Sequence, residues 1–231
     1  MRRFLFLFIS LFSLLSASSA NKPSKELALF ISDMVEEQNI HPDSFYVGIA
    51  RLEARKESVS DPTEKAITQA VLGYVYQKFA YKSSALEYQS PSDETKMEAW
   101  SYDDYMMMSA QRYAEALADL DVLHNTTISQ WAPLTEKGKD DAIYNNDMLM
   151  LVWRHAQDVS FFNNDIPSRA NIIKYYEKLG NRKAVLWLKL DDCSNFIGKE
   201  RTKRLLELKD EYAKLDLCAE VYLKLASAEY D

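Results

Sequence analysis

The sequence predicts an all-α chain, and three observations carry that expectation. Gly and Pro number only 5 and 6 in 231 residues, well below ordinary usage. Tight turns, bulges and phosphate-binding loops all draw on glycine, so strand-rich and loop-rich folds are disfavoured. Apolar residues recur at spacings of three and four along most of the chain, which is the amphipathic helix period. Polar breaks carrying capping residues divide the chain into about eight to nine helices after an N-terminal leader.

The leader reads "MRRFLFLFISLFSLLSASSA". Arg2 and Arg3 form a basic start, Phe4 to Leu15 an apolar run, and Ser16 to Ala20 a small-residue end. That is the pattern of a secretory signal peptide over residues 1–20. The apolar run is short against the roughly 20 residues that span a bilayer. Cleavage is therefore expected, with no stable membrane insertion afterwards. Residue 21 is Asn and no Cys lies near the junction, which disfavours a lipid anchor. The expectation is an exported chain, periplasmic or extracellular and not a lipoprotein. Removing the leader takes away two arginines and no acid, which moves the net charge from −7 to −9. Such an acidic chain disfavours nucleic acid and anionic membranes as partners.

The helices are placed by stripes and caps. The first spans about 24–38, with Leu27, Phe30, Ile31, Met34 and Val35 on one face. The second covers about 43–56, burying Phe45, Ile49 and Leu52. Asp61, Pro62 and Glu64 then form an N-terminal capping signature for a helix over about 62–81. Residues 82–98 read as a polar surface loop. Ser101 and Asp104 form a second capping box before a helix over about 102–120, with Tyr105, Met108, Arg112 and Ala116 on one line. Residues 121–146 form a long connection, in which Trp131, Pro133 and Leu134 anchor the loop and Gly138 permits a turn. Asn145, Asn146 or Asp147 caps a helix to about 159. Leu149, Val152, Trp153 and Ala156 are its buried face, with Arg154 and His155 at the margin. Asp165-Ile166-Pro167 opens a helix ending at Gly180, and Asn181 caps the next, about 182–196. Gly198 precedes a basic, leucine-rich helix over about 199–213. The last helix covers about 216–230, where Val221, Leu223, Leu225 and Ala226 lack a neighbour.

No catalytic constellation stands out. His41, His124 and His155 lie far apart, and none has a partner at zinc-ligand spacing such as H-E-x-x-H. No nucleophile elbow or phosphate loop is present. The pairs Asp103-Asp104, Asp140-Asp141 and Asp191-Asp192 point about 100° apart on a helix, so they do not share a site. Asp103 and Asp104 suit the positive end of a helix. Cys193 and Cys218 either bridge neighbouring antiparallel helices or stay as buried thiols; the demanding geometry of a helix-to-helix disulfide favours thiols. Asn125-Thr126-Thr127 matches a glycosylation sequon by its letters alone. The 14 Tyr, 10 Phe and 4 Trp read as core at helical spacing. A binding groove, if the helices form one, would be a concave face lined by residues such as Tyr74, Tyr105, Trp153 and Tyr176. No catalytic, cofactor-binding or metal-binding residue is assigned, and no cofactor is expected.

Five segments occur in an order that resembles a known family: "DPTEKAITQAVLGYVYQKFAYK", "WSYDDYMMMSAQRYAEALAD", "ISQWAPLTEKGKDDAIYNNDMLMLVWRHAQDVSFF", "YYEKLGNRKAVLWLKLDD" and "LLELKDEYAKLDLCAEVYLKLASAEY". They resemble the N-terminal helical segment of bacterial, Bacteroidetes-type, alpha-2-macroglobulin-like proteins, over most of residues 45–230. "YAKLDLCAEVYLKLASAEYD" itself resembles the hinge and second helix of a tetratricopeptide-like pair. The resemblance implies antiparallel helical pairs in a tetratricopeptide-like right-handed solenoid over residues 21–231. It also implies exported, protease-trapping relatives in which such a segment precedes β domains. On this reading residues 21–231 are expected to hold no β domain and no bait region. At Cys218 to Val221 the chain reads Cys-Ala-Glu-Val, where a thioester requires Gln in the fourth place. The expectation is therefore a non-catalytic scaffold or protein-interaction module. Its open C-terminal face is either continued in a longer parent or covered by another chain, a protein partner or the β domains of a larger macroglobulin-like protein. The alternative is a small exported ligand-binding protein or enzyme with an aromatic pocket between helices.

Overall fold

The computed structural model describes residues 22–40, 44–82, 97–132, 134–135 and 141–228. The leader, His41, Pro133, Gly138, Asp140 and most of the 82–98 loop lie outside the described residues. What is described is helical, with a single isolated β-bridge between Thr127 and Asp147. The helices are α1 (Lys22–Ile40), α2 (Ser44–Ser58), α3 (Pro62–Lys82), α4 (Tyr102–Ala116), α5 (Leu120–His124), α6 (Asp141–Tyr144), α7 (Met148–Ala156), α8 (Arg169–Lys178), α9 (Arg182–Asp192), α10 (Gly198–Glu211) and α11 (Cys218–Ala228). The chain groups into two compact units that divide between Pro167 and Ser168.

In the first unit, α3 and α4 share the most extensive packing. Gly73 makes their close approach possible. A Cβ there would stand 2.9 Å from the Tyr113 ring, and the Ser109 hydroxyl donates to the Gly73 carbonyl at 2.7 Å. Aromatic rings fill the space between α2, α3 and α4. Phe45 stacks on Phe79 at 4.0 Å between centroids, and Tyr105 meets Phe79 at 4.9 Å and Trp100 at 5.3 Å. Aromatic pairs at such distances add to the apolar area they bury. The expected buried faces of α2 and α7 are buried: Phe45, Ile49 and Leu52, then Leu149, Val152, Trp153 and Ala156. On α1, Leu27, Ile31 and Met34 turn inward while Val35 is exposed.

Two expected helices end earlier than their apolar pattern. The helix expected over 102–120 stops at Ala116, because Asp119 adopts an extended backbone and its carboxylate caps α5 through the Asp121 and Val122 amides. The helix expected to reach 159 leaves α-geometry after Ala156 and tightens into a 3-10 turn, Gln157–Phe162. Apolar spacing continues through both places, but a local cap or a tighter turn decides the backbone. The helix expected to open at Asp165 is instead capped by Ser168, whose hydroxyl accepts from the Asn171 amide.

The second unit holds α8 to α11. Gly180 ends α8 with φ +66°. The Gly180 amide donates to the Glu177 carbonyl and the Asn181 amide to the Tyr176 carbonyl, at 3.0 and 2.9 Å. That is a Schellman ending, which requires the left-handed residue glycine supplies. Asn181 then caps α9 through the Ala184 amide, as expected. The core of this unit is aliphatic, with Leu186, Leu188, Leu190, Leu205 and Val221 fully buried around Ile172 and Tyr176.

Candidate functional site

The polar stretch before α7 is a structural joint. Trp131 is buried within the 3-10 turn Ile128–Trp131, and Leu134 is buried beside it in sequence. The Ser24 hydroxyl donates to the Trp131 carbonyl at 2.6 Å, which ties α1 to the loop. Asn145 and Asn146 take left-handed backbone, φ +51° and +56°, a conformation asparagine tolerates better than most residues. Asp147 is the actual cap of α7. Its Oδ1 accepts from the Leu149 amide at 2.9 Å, and Oδ2 lies 2.8 Å from His124 Nδ1. His124 thus closes the joint by holding a buried carboxylate.

A second polar cluster ties α2, α3 and α4 together. Arg112 stands on the buried line of α4. Its Nε donates to Glu53 Oε1 at 2.8 Å, and its terminal nitrogen reaches Glu115 Oε1 at 2.7 Å. Tyr76 donates its hydroxyl to Glu53 at 2.9 Å, and Lys56 lies 3.3 Å from the same carboxylate. Burial, reinforced by Glu53, raises the Tyr76 hydroxyl far above its ordinary pKa. Each charged partner is matched, so the cluster serves as a polar clamp inside the helical layer. An arginine on an apolar stripe signals in the sequence that a partner must exist, but not which residue it is.

A third cluster lies around α7. The His155 ring meets Tyr74 edge-on at 5.8 Å, and Lys78 Nζ sits 5.1 Å from the Tyr74 centroid. Burial lowers the pKa of His155, with Lys78 lowering it further and Asp158 opposing. Burial also lowers the Lys78 pKa, again against Asp158. The Tyr113 hydroxyl is fully buried with no hydrogen-bond partner among the described residues. Burial, with smaller effects from Tyr74 and Asp158, holds it well above its ordinary range.

The expected groove residues do not form one lining. Tyr105, Trp153 and Tyr176 are completely buried, and only Tyr74 is partly accessible. Trp153 donates its indole N–H to the Pro167 carbonyl at 2.8 Å, as a core tryptophan must. Side-chain size at a helical spacing marks burial, and the helix faces that pack together here leave these rings no open side. Among the described residues, no three His, Cys, Asp or Glu side chains gather at metal-binding distance.

Large apolar side chains reach solvent in both units, Phe161 in the first at 93%, and the second gathers Tyr222 and Leu223 on one helix. Cys193 and Cys218 are both buried and free. Burial, with Asp192 nearby, raises the Cys193 thiol, which keeps it protonated and poorly nucleophilic. On α11 one face turns inward through Cys218 and Val221. The opposite face carries Ala219, Tyr222, Leu223 and Ala226, with Tyr222 56% and Leu223 64% exposed. Those positions share one helical stripe. Val221, expected among the uncovered residues, is buried instead and Leu225 is partly covered. None of the described helices is long and apolar enough to cross a membrane. No protein-family model, no curated protein and no solved structure matches the chain.

Proposed function

We propose that the chain is an exported, non-catalytic helical scaffold that binds protein. In this reading its helical pairs follow a tetratricopeptide-like right-handed solenoid, akin to the N-terminal segment of bacterial alpha-2-macroglobulin-like proteins. The observation that carries the proposal is the α11 stripe of Ala219, Tyr222, Leu223 and Ala226, an apolar helix face turned to solvent. A large aromatic and a leucine flanked by small residues suit a helix-on-helix contact, because the alanines allow close approach. The partner is a protein, either free or the β domains of a larger macroglobulin-like chain. The polar side-chain contacts support the same reading. Arg112, Glu53 and Tyr76 are spent on each other, and His124 on Asp147.

Crosslinking and affinity capture on exported material test the proposal. The wild-type chain is expected to retain a defined protein, and the Tyr222→Lys and Leu223→Lys variants to lose it while keeping their helical circular dichroism. Capture of nothing by the wild type, or equal capture by the variants, overturns it.

A further inference from the structure

The exposed face of α10 has a charge order that its own helix does not favour. The first half of the helix carries Lys199, Arg201, Lys203 and Arg204 against a single acid, Glu200. The second half carries Glu207, Asp210 and Glu211 against a single base, Lys209. The helix macrodipole prefers the opposite arrangement, acids at the start and bases at the end. Some of these charges are used within the unit. Arg204 pairs with Glu200 at 2.9 Å, and the Glu211 carboxylate takes Lys189 at 2.9 Å. Lys199, Lys203 and Glu207 are exposed and have no ion pair among the described residues. With Thr202, Leu206 and Asp210 they line a shallow concavity along one side of the helix. Leu206 lies midway along the length of that face and is 43% exposed.

We propose that this face is a two-fold docking surface for a second copy of the chain, with the two α10 helices antiparallel. The argument is the register. In a two-fold antiparallel pair, the positions that face each other have residue numbers adding to a constant. A constant of about 409 sets Lys199 opposite Asp210, and brings Lys203 with Glu207 and Thr202 with Leu206 to within about one residue (~1.5 Å) of direct opposition. At about 100° per residue, Lys203 and Glu207 fall on one flank, Thr202 and Leu206 on the other, and Lys199 and Asp210 along the middle. Antiparallel pairing brings like flanks together, so each of these pairs meets across the interface, twice by symmetry. The two Leu206 side chains meet beside the axis. The charge order that is unfavourable in a lone helix becomes complementary in the pair.

A single helix-on-helix contact over about 21 Å covers less than the ~800 Å² per partner of a standard interface. The dimer is therefore weak, concentration-dependent and sensitive to salt. It is separate from the α11 stripe and stands whether or not that stripe holds a partner.

Sedimentation equilibrium of the purified full chain tests it, at ~0.01 M and ~1 M salt, where the Debye length is about 30 and 3 Å. A reversible dimer is expected at low salt, weakened at least ~10-fold at high salt. Lys203→Glu and Glu207→Lys should each give a monomer, and the double variant should regain the dimer because every swapped pair again faces its complement. Leu223→Lys on α11 should dimerise like the wild type. A wild type that stays monomeric throughout overturns the proposal. So does a dimer indifferent to the single charge reversals, a double variant that stays monomeric, or loss of the dimer in Leu223→Lys. Far-ultraviolet circular dichroism separates these outcomes from misfolding, since the substituted residues are exposed.

Discussion

The two units solve the same problem of burying helix faces with different material. The first fills its interior with rings and threads a charged clamp through it, Glu53, Lys56, Arg112 and Glu115. The second is aliphatic inside, and its ion pairs lie at the surface, such as Lys189 with Glu211. Both units leave large apolar side chains in solvent, Val47, Tyr81 and Phe161 in the first and Ile197, Tyr222 and Leu223 in the second. The difference teaches where specificity resides. In the first unit polar residues fix how helices meet inside one chain. In the second the paired charges face outward, where they can select a neighbour.

The largest expected effect that would sharpen this contrast is truncation of an interior ring. Trp153→Ala removes a fully buried indole and its hydrogen bond to Pro167. A loss of roughly 3–5 kcal/mol is expected. Trp131→Ala should cost a similar amount if the joint is anchored by that ring, which is 2% exposed. Urea unfolding measures both. A change under ~1 kcal/mol in either variant would mean that the ring is not part of the core.

Removing one cation from each unit tests the comparison directly. The Arg112 side chain is 11% exposed and faces two carboxylates. Arg112→Met leaves them gathered without their counter-charge. A loss of about 2–4 kcal/mol is expected, below the full buried-pair range because Glu53 and Glu115 remain partly solvated. The Lys189 side chain is 27% exposed, and its partner Glu211 is 49% exposed. Lys189→Met should cost under ~1 kcal/mol. Equal losses in urea unfolding would erase the distinction between an interior clamp and a surface pair. Between these two falls Gly73→Ala, for which about 1–3 kcal/mol is expected because the added methyl drives into the Tyr113 ring. A stabilised Gly73→Ala variant would show that α3 and α4 have room to separate.

Much of the helix plan was legible because it rests on local rules. The Ser101–Asp104 capping box, the Asn181 cap, the Gly180 ending and the buried face of α7 all follow from spacing within one turn. The breaks at Asp119 and Ala156 were not legible, since apolar spacing runs through both. The short α6 has too few residues to show a period. The clamp was half legible. Arg112 on the apolar line of α4 was visible, but Glu53 is 59 residues away, and only the packing of α2 against α3 and α4 brings it within reach. The aromatic groove expected from Tyr105, Trp153 and Tyr176 failed for a related reason. Helical spacing places a ring on a face, while the neighbouring helix decides whether that face is open.

The finest effect is a pH dependence that only the first unit should show. His155 is held below the ordinary histidine pKa, first by burial and further by Lys78, with Asp158 opposing. The folded state therefore binds fewer protons at this residue than the unfolded chain does. By linkage, stability rises with pH wherever the unfolded state binds more protons. The His155 contribution is thus unimpaired above the unfolded pKa of about 6.5. It is lost as pH falls from there toward the lowered folded value. Tyr74 covers the ring edge-on and keeps its protonated form from being freely solvated. In paired unfolding titrations between about pH 5 and 8, spanning the ordinary histidine pKa, wild type should lose more stability on acidification than His155→Gln. Parallel curves for the two proteins would mean that the His155 ring reaches solvent freely, and the packing of α7 on α3 would then need revision at Tyr74.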